Sequence, residues 1–138
     1  MGAGRFFCKT NNVNEIDLQD VKELLKAFGK AVYLENETFI DIVTAISGSG
    51  PAYVFYFVEV LTNIGTNLGL SRRDSKVLAM ETLIGSARLL EMSNIDPKVL
   101  KENVTSPGGT TEAGLEILES KDYGLYDLLS RTVDAAKN

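Results

Sequence analysis

Ser106-Pro107-Gly108-Gly109-Thr110-Thr111 places three hydroxyl groups and two glycines in one short run. Two consecutive glycines after a proline reach φ values closed to other residues, so successive backbone amides can converge on one point and hold an anion. A helix starting at Gly109 or Thr110 would aim its positive end at the same point. A carboxylate is the natural guest, and Thr111, in the first helical turn, has a hydroxyl that could donate to or accept from a neutral group beside it. The alternative is plainer: Ser106, Thr110 or Thr111 caps its own helix. The sequence contains no histidine and one cysteine, Cys8. That composition excludes Ser-His and Cys-His nucleophile pairs, a Cys/His zinc site and an internal disulfide, and Gly-x-Ser-x-Gly is also missing. Chemistry here needs hydroxyls, backbone amides, carboxylates or a cofactor.

A second glycine-proline stretch is Ser47-Gly48-Ser49-Gly50-Pro51-Ala52-Tyr53. Its Gly-x-Gly is not a dinucleotide fingerprint, because the third glycine would fall at Tyr53 and no strand with βαβ context precedes it. Gly2-Ala3-Gly4 fails in the same way, with Phe7 at the third position. Two readings stand for residues 47–53: a helix start at Pro51 with flexible lead-in residues, or a place where Gly48 and Gly50 let the backbone approach a flat ligand. Tyr53, Phe55, Tyr56 and Phe57 read as core or subunit interface. Arg72, Arg73, Asp74 and Lys76 read as a solvated helix start, Glu102 as a surface carboxylate able to orient the loop after it, and Cys8 as a buried small hydrophobe in a strand.

The elements that position these residues follow from periodicity. Residues 5–10 and 31–34 suit short strands. Between them Leu18, Val21, Leu24, Leu25 and Phe28 fall on one helical face, with Asn14 as N-cap and Gly29 as stop. A strand, a helix and a strand in so few residues suit the last piece of a larger sheet. From about Thr38 every signal is helical. The apolar run after Pro51 demands burial on most sides. Ser71 and Asp74 open a long helix with Val77, Met80, Ile84 and Ala87 on one stripe. Asp96 and Pro97 open a short helix ending near Asn103, another begins near Gly109, and the last has Leu125, Leu128, Leu129, Val133 and Ala136 on one face. The compositional break between residues 35 and 40 separates residues 1–36 from an all-helical domain over residues 37–138. At 138 residues and a net charge of −5, the chain can bury a core and offers nucleic acid no electrostatic footing. With no apolar run of about 20 residues and a lone thiol, a cytoplasmic protein without a membrane partner is expected.

Together, SGSGPAY, LSRRDSKVLAMETLIGSARLL and KENVTSPGGTTEAGLEILE resemble the C-terminal half of pyrroline-5-carboxylate reductase, the enzyme that makes proline, from about Asn12 to the end. The resemblance implies a mainly α fold. A helical dimerisation domain, similar to the C-terminal domain of 6-phosphogluconate dehydrogenase, would follow a β-α-β remnant of a Rossmann sheet. It implies NADP or NAD as cofactor, bound mainly by a domain upstream of this chain; no metal site is expected. By motif, Val104, Thr105, Ser106, Pro107, Gly108 and Gly109 match the family's carboxylate cradle, and Thr111 matches the threonine that contacts the ring nitrogen of a cyclic imino acid. Ser49, Gly50, Pro51 and Ala52 resemble the helix start near the nicotinamide. The family also implies a homodimer, and it alone suggests a ring of dimers. Without the cofactor domain the chain is expected to be inactive by itself. Two other readings stay open: a non-catalytic helical dimerisation module, and a paralogous imine reductase with another small substrate.

Overall fold

A computed structural model describes residues 5–10, 12–27 and 31–137, which divide into two compact units: residues 1–51 with 130–138, and residues 52–129. Gly2 to Gly4, Phe28 and the expected helix stop at Gly29 lie outside the described residues.

In the first unit, β1 (Arg5–Phe7) pairs in parallel with β2 (Ala31–Tyr33), register Arg5 to Ala31 and Phe7 to Tyr33. A parallel pair needs a crossover, and α1 (Glu15–Lys26) supplies it. Asn14 starts α1 as expected, its side-chain oxygen accepting the Asp17 N–H at 2.9 Å. Only part of the expected apolar face is covered: Leu18 is 5% exposed but Leu24 is 62% exposed. Phe7 and Tyr33 touch with ring centroids 5.5 Å apart, and the Lys22 ammonium sits 4.8 Å from the Tyr33 ring centre. Cys8 lies just beyond β1 and is half-buried, rather than buried within a strand.

The helical part begins with a 3-10 turn at Glu37–Phe39, capped by Asn36, then α2 (Ile40–Val43), a π turn at Thr44–Gly48 and α3 (Gly50–Asn67). The lead-in to Pro51 is therefore helical, where the sequence suggested flexible residues. Pro51 has no N–H to give the preceding turn, and a widened turn just upstream accommodates this, with the Ser49 N–H reaching the Thr44 carbonyl at 2.9 Å.

In the second unit α3 ends where Gly69 adopts φ +103° and the Leu70 N–H returns to the Gly65 carbonyl at 3.1 Å, a Schellman-type stop. Ser71 caps α4 (Arg72–Ser93), accepting the Asp74 N–H at 3.1 Å, so the capping spacing read from sequence holds. Near this turn the two helices meet through small residues. An added Cβ on Gly65 would lie 2.8 Å from the Ser75 hydroxyl, and Thr62, Ser75 and Ala79 are buried. The expected α4 stripe is not the face this contact covers, and Val77 and Met80 remain exposed. Small side chains admit a close backbone approach, whereas the larger apolar ones are left facing outward. Asn94, in the left-handed region at φ 50°, ends α4. Asp96 then caps α5 (Pro97–Asn103), accepting the Lys98 N–H at 2.8 Å; α6 (Thr110–Leu118) and α7 (Leu125–Lys137) follow. Among the described residues no helix is long and apolar enough to cross a membrane.

The aromatic cluster on α3 is not a core of this chain. Phe55 is 71% exposed, and Tyr56 and Phe57 are exposed with it.

Candidate functional site

The loop between α5 and α6 is built by local rules. α5 closes with the Thr105 N–H on the Glu102 carbonyl at 3.1 Å and the Thr105 hydroxyl donating to the Lys101 carbonyl at 2.7 Å. Pro107 and Gly108 then occupy the middle of a four-residue turn, Gly108 at φ +70°, closed by the Gly109 N–H on the Ser106 carbonyl at 3.0 Å. Proline at the second position and a positive-φ glycine at the third are the signature of a type II turn. Gly109 has a different reason to be glycine: a Cβ there would lie 2.5 Å from the Ser106 hydroxyl oxygen and 2.9 Å from its carbonyl oxygen. The Ser106 hydroxyl therefore lies against the start of α6.

Gly109 is the N-cap of α6, and no side chain caps it. The plain alternative, in which Ser106, Thr110 or Thr111 caps the helix with its hydroxyl, is not what the structure contains. Ala113 N–H reaches the Gly109 carbonyl at 3.2 Å, and among the described residues the amides of Thr110, Thr111 and Glu112 have no acceptor. Such a helix start carries partial positive charge and unsatisfied donors, the requirements for binding an anion. The two glycine amides, by contrast, are engaged. Gly109 donates within the turn, and Gly108 donates to Glu112 Oε2 at 2.7 Å. An anion here meets the amides of α6, with Ser106 beside them, rather than a nest of glycine amides.

Glu112 is the site residue that the sequence reading missed. The signal was present, since an acidic residue at the third position of a helix commonly reaches back over the helix start. Val104 and Thr105 lead into the turn as expected, Val104 exposed and Thr105 half-buried. The side chain of Glu102 turns away to Lys98, at 4.0 Å, and it is its carbonyl that shapes the loop.

Between α5 and α6 lies a groove of about 280 Å³ that includes Glu102, Glu112, Glu116 and Glu119 and one cation, Lys101. Lys101 is hydrogen-bonded to Glu119, and this bond raises its pKa above the ordinary lysine value against the opposing effect of desolvation. With its cation committed to Glu119, the groove is unsuited to an anion, which is left the amide-lined helix start. Arg72 donates to Asn63 at 3.2 Å beside the Ser71 cap, in keeping with a solvated helix start.

Ser49, Gly50, Pro51 and Ala52 form one stretch at the start of α3. The Ser49 amide is engaged with Thr44, Pro51 has no amide hydrogen, and a Cβ on Gly50 would meet nothing within 4 Å. That surface fits contact with a flat ring and does not fit a phosphate group, which needs several free donors.

The family model for pyrroline-5-carboxylate reductase dimerisation matches residues 37–138. The pyrroline-5-carboxylate reductase of Pseudomonas aeruginosa is 39% identical over 124 residues, covering 90% of this chain and 45% of the relative. That of Aquifex aeolicus is 38% identical over 140 residues, covering 99% of this chain and 52% of the relative. The chain spans about half the length of the curated relatives it matches. Among solved structures, a pyrroline-5-carboxylate reductase from Coxiella burnetii superposes with a TM-score of 0.85 at 31% identity, over 98% of this chain and 49% of that one. The Plasmodium falciparum pyrroline carboxylate reductase with NADP bound gives a TM-score of 0.78 at 37% identity, over 97% of this chain and 50% of that one.

Proposed function

The chain belongs to the pyrroline-5-carboxylate reductase dimerisation family, and on that premise we propose that it is the self-associating and substrate-carboxylate-binding part of a reductase that converts 1-pyrroline-5-carboxylate to L-proline. The observation that carries the reading is the uncapped start of α6, where the free amides of Thr110 and Thr111 adjoin the Ser106 hydroxyl.

The carboxylate of a cyclic imino acid accepts from the Thr110 and Thr111 amides and from Ser106. Held there, the ring lies beside the Thr111 hydroxyl, which orients and hydrogen-bonds its nitrogen. A bound nicotinamide, NADPH or NADH, supplies the hydride. The work of this chain is positioning, so that the C=N carbon is presented in one orientation and the nitrogen has a hydroxyl beside it. A protonated cyclic imine needs no histidine to accept a hydride, consistent with the absence of that residue. Residues 1–36 supply the tail of a dinucleotide-binding sheet, residues 37–138 the helical domain, and Ser49, Gly50, Pro51 and Ala52 a smooth face for the nicotinamide ring. The exposed aromatic side chains of α3 are covered by a second copy of the chain.

Titration with L-proline, followed by amide chemical shifts, tests the site. Shifts confined to Thr110, Thr111 and their neighbours at about 1 mM ligand are expected for a subsite of a weakly bound small molecule. A flat response to ten times that concentration would rule out the cradle.

A further inference from the structure

We infer that Glu112 is a positioning residue for the carboxylate cradle: it fixes the Gly108 amide, holds the turn in place and so keeps the Thr110 and Thr111 amides open. The inference rests on the reading that this loop takes a substrate carboxylate. Glu112 Oε2 accepts from the Gly108 N–H at 2.7 Å, and among the described residues it is the only partner of that carboxylate. The neighbouring cations are already taken, Lys98 by Glu102 and Lys101 by Glu119, so no ion pair holds the Glu112 side chain in its groove. It is instead held by a charge-assisted hydrogen bond at the positive end of α6.

The bond acts where the loop has most freedom to lose. Gly108 has no side chain, sits at φ +70°, and even an added Cβ would meet nothing within 4 Å, so no side-chain packing holds it there. Without Glu112 a single hydrogen bond, Gly109 to Ser106, would close the turn. A rival role is possible for the same contact, in which Glu112 is an internal competitor occupying the place of the anion. The geometry points away from it. Glu112 bonds an amide preceding the helix, while the open donors belong to Thr110 and Thr111, so a guest carboxylate and Glu112 use different hydrogens.

Three variants of the whole chain test this: Glu112→Ala, Glu112→Gln and Glu112→Asp. Glu112→Gln keeps the acceptor and its reach, whereas Glu112→Asp keeps the charge and the helix-start preference but is one methylene too short. In the ligand-free chain, hydrogen exchange at the Gly108 amide should speed about fivefold to tenfold in the alanine and aspartate variants, the worth of one hydrogen bond, and change little in the glutamine variant. L-Proline should bind about fivefold more weakly to the same two variants and at least as tightly to Glu112→Gln, which removes a negative charge beside the anion site. If Glu112→Ala unravels α6, the aspartate variant still decides the matter, because its helix start is preserved. Unchanged Gly108 exchange in Glu112→Asp would overturn the inference, as would tighter L-proline binding by Glu112→Ala, the mark of an internal competitor. Should the exchange pattern appear while the native chain ignores L-proline, the turn-holding role stands and the carboxylate reading fails.

Discussion

The loop between α5 and α6 and the aromatic face of α3 belong mainly to one compact unit, yet they are completed by different means. The loop closes on itself: one turn, one glycine forced by Ser106, one carboxylate reaching back four residues. The aromatic face of α3 is left largely uncovered among the described residues, since Phe55, Tyr56 and Phe57 are exposed and the buried contact to α4 uses Thr62, Gly65, Ser75 and Ala79 instead. Polar geometry can be finished by hydrogen bonds between residues a few positions apart. Apolar area can be finished only by another surface of similar size. A site of the first kind can be formed in a single chain, and a face of the second kind calls for a partner.

The largest expected effect breaks that contrast at the α3 face. Burying a phenylalanine or tyrosine side chain contributes about 1.5–3 kcal/mol, and a two-fold interface counts each substitution twice. Replacing Phe55 and Tyr56 together by aspartate should therefore weaken self-association by more than about 100-fold. Light scattering at micromolar concentration should give the native chain a dimer mass and the double variant half of it. A native chain that is already monomeric would sink the self-association reading and leave the exposed aromatics unexplained.

The same contrast governs what could be read from the sequence. N-terminal caps were legible because they depend on neighbours in the chain. Asn14, Ser71 and Asp96 each cap the helix expected of them, and the turn at Pro107-Gly108 follows from the residues that it contains. The helical lead-in to Pro51 was not legible, because a π turn depends on where the carbonyls of the preceding helix lie rather than on any residue signature. The buried face of α4 was not legible either. Periodicity marks Val77, Met80 and Ile84 as apolar but cannot say whether this chain or another covers them, and the tight contact was made by Ser75 and Ala79. In the loop between α5 and α6 the run of glycines suggested a nest of glycine amides. The structure engages both of those amides and leaves open the ones just after them.

A medium effect sharpens the contrast inside the loop, where two adjacent glycines are needed for different reasons. Gly109→Ala forces a Cβ against both oxygens of Ser106, 2.5 and 2.9 Å away, so the turn must open. A cost of about 1–3 kcal/mol is expected, with loss of L-proline binding. Gly108→Ala has room around its Cβ but must hold φ +70°, at a cost of about 1 kcal/mol, and should keep part of its binding. Chemical denaturation and the same titration check both, and a reversed order of the two would mean that strain rather than collision limits the turn.

The smallest effect asks whether the loop needs its flanking helices tied together. Lys101 on α5 is bonded to Glu119 just past α6, in an exposed position, and the bond raises the lysine pKa. A lysine raised in the folded state contributes stability that is fully present below its ordinary value and is lost as pH rises through the folded value. The thermal stability of native protein and Lys101→Met should therefore differ slightly at neutral pH, and the difference should fade as pH rises through the raised lysine value and shrink at about 1 M salt. L-Proline binding should be the same in both, because the turn, the Gly109 contact and Glu112 all lie within seven consecutive residues and make no use of that pair. Weakened binding by Lys101→Met at neutral pH would show that the cradle, like the α3 face, is completed from outside its own segment, and the distinction between the two regions would lose its basis.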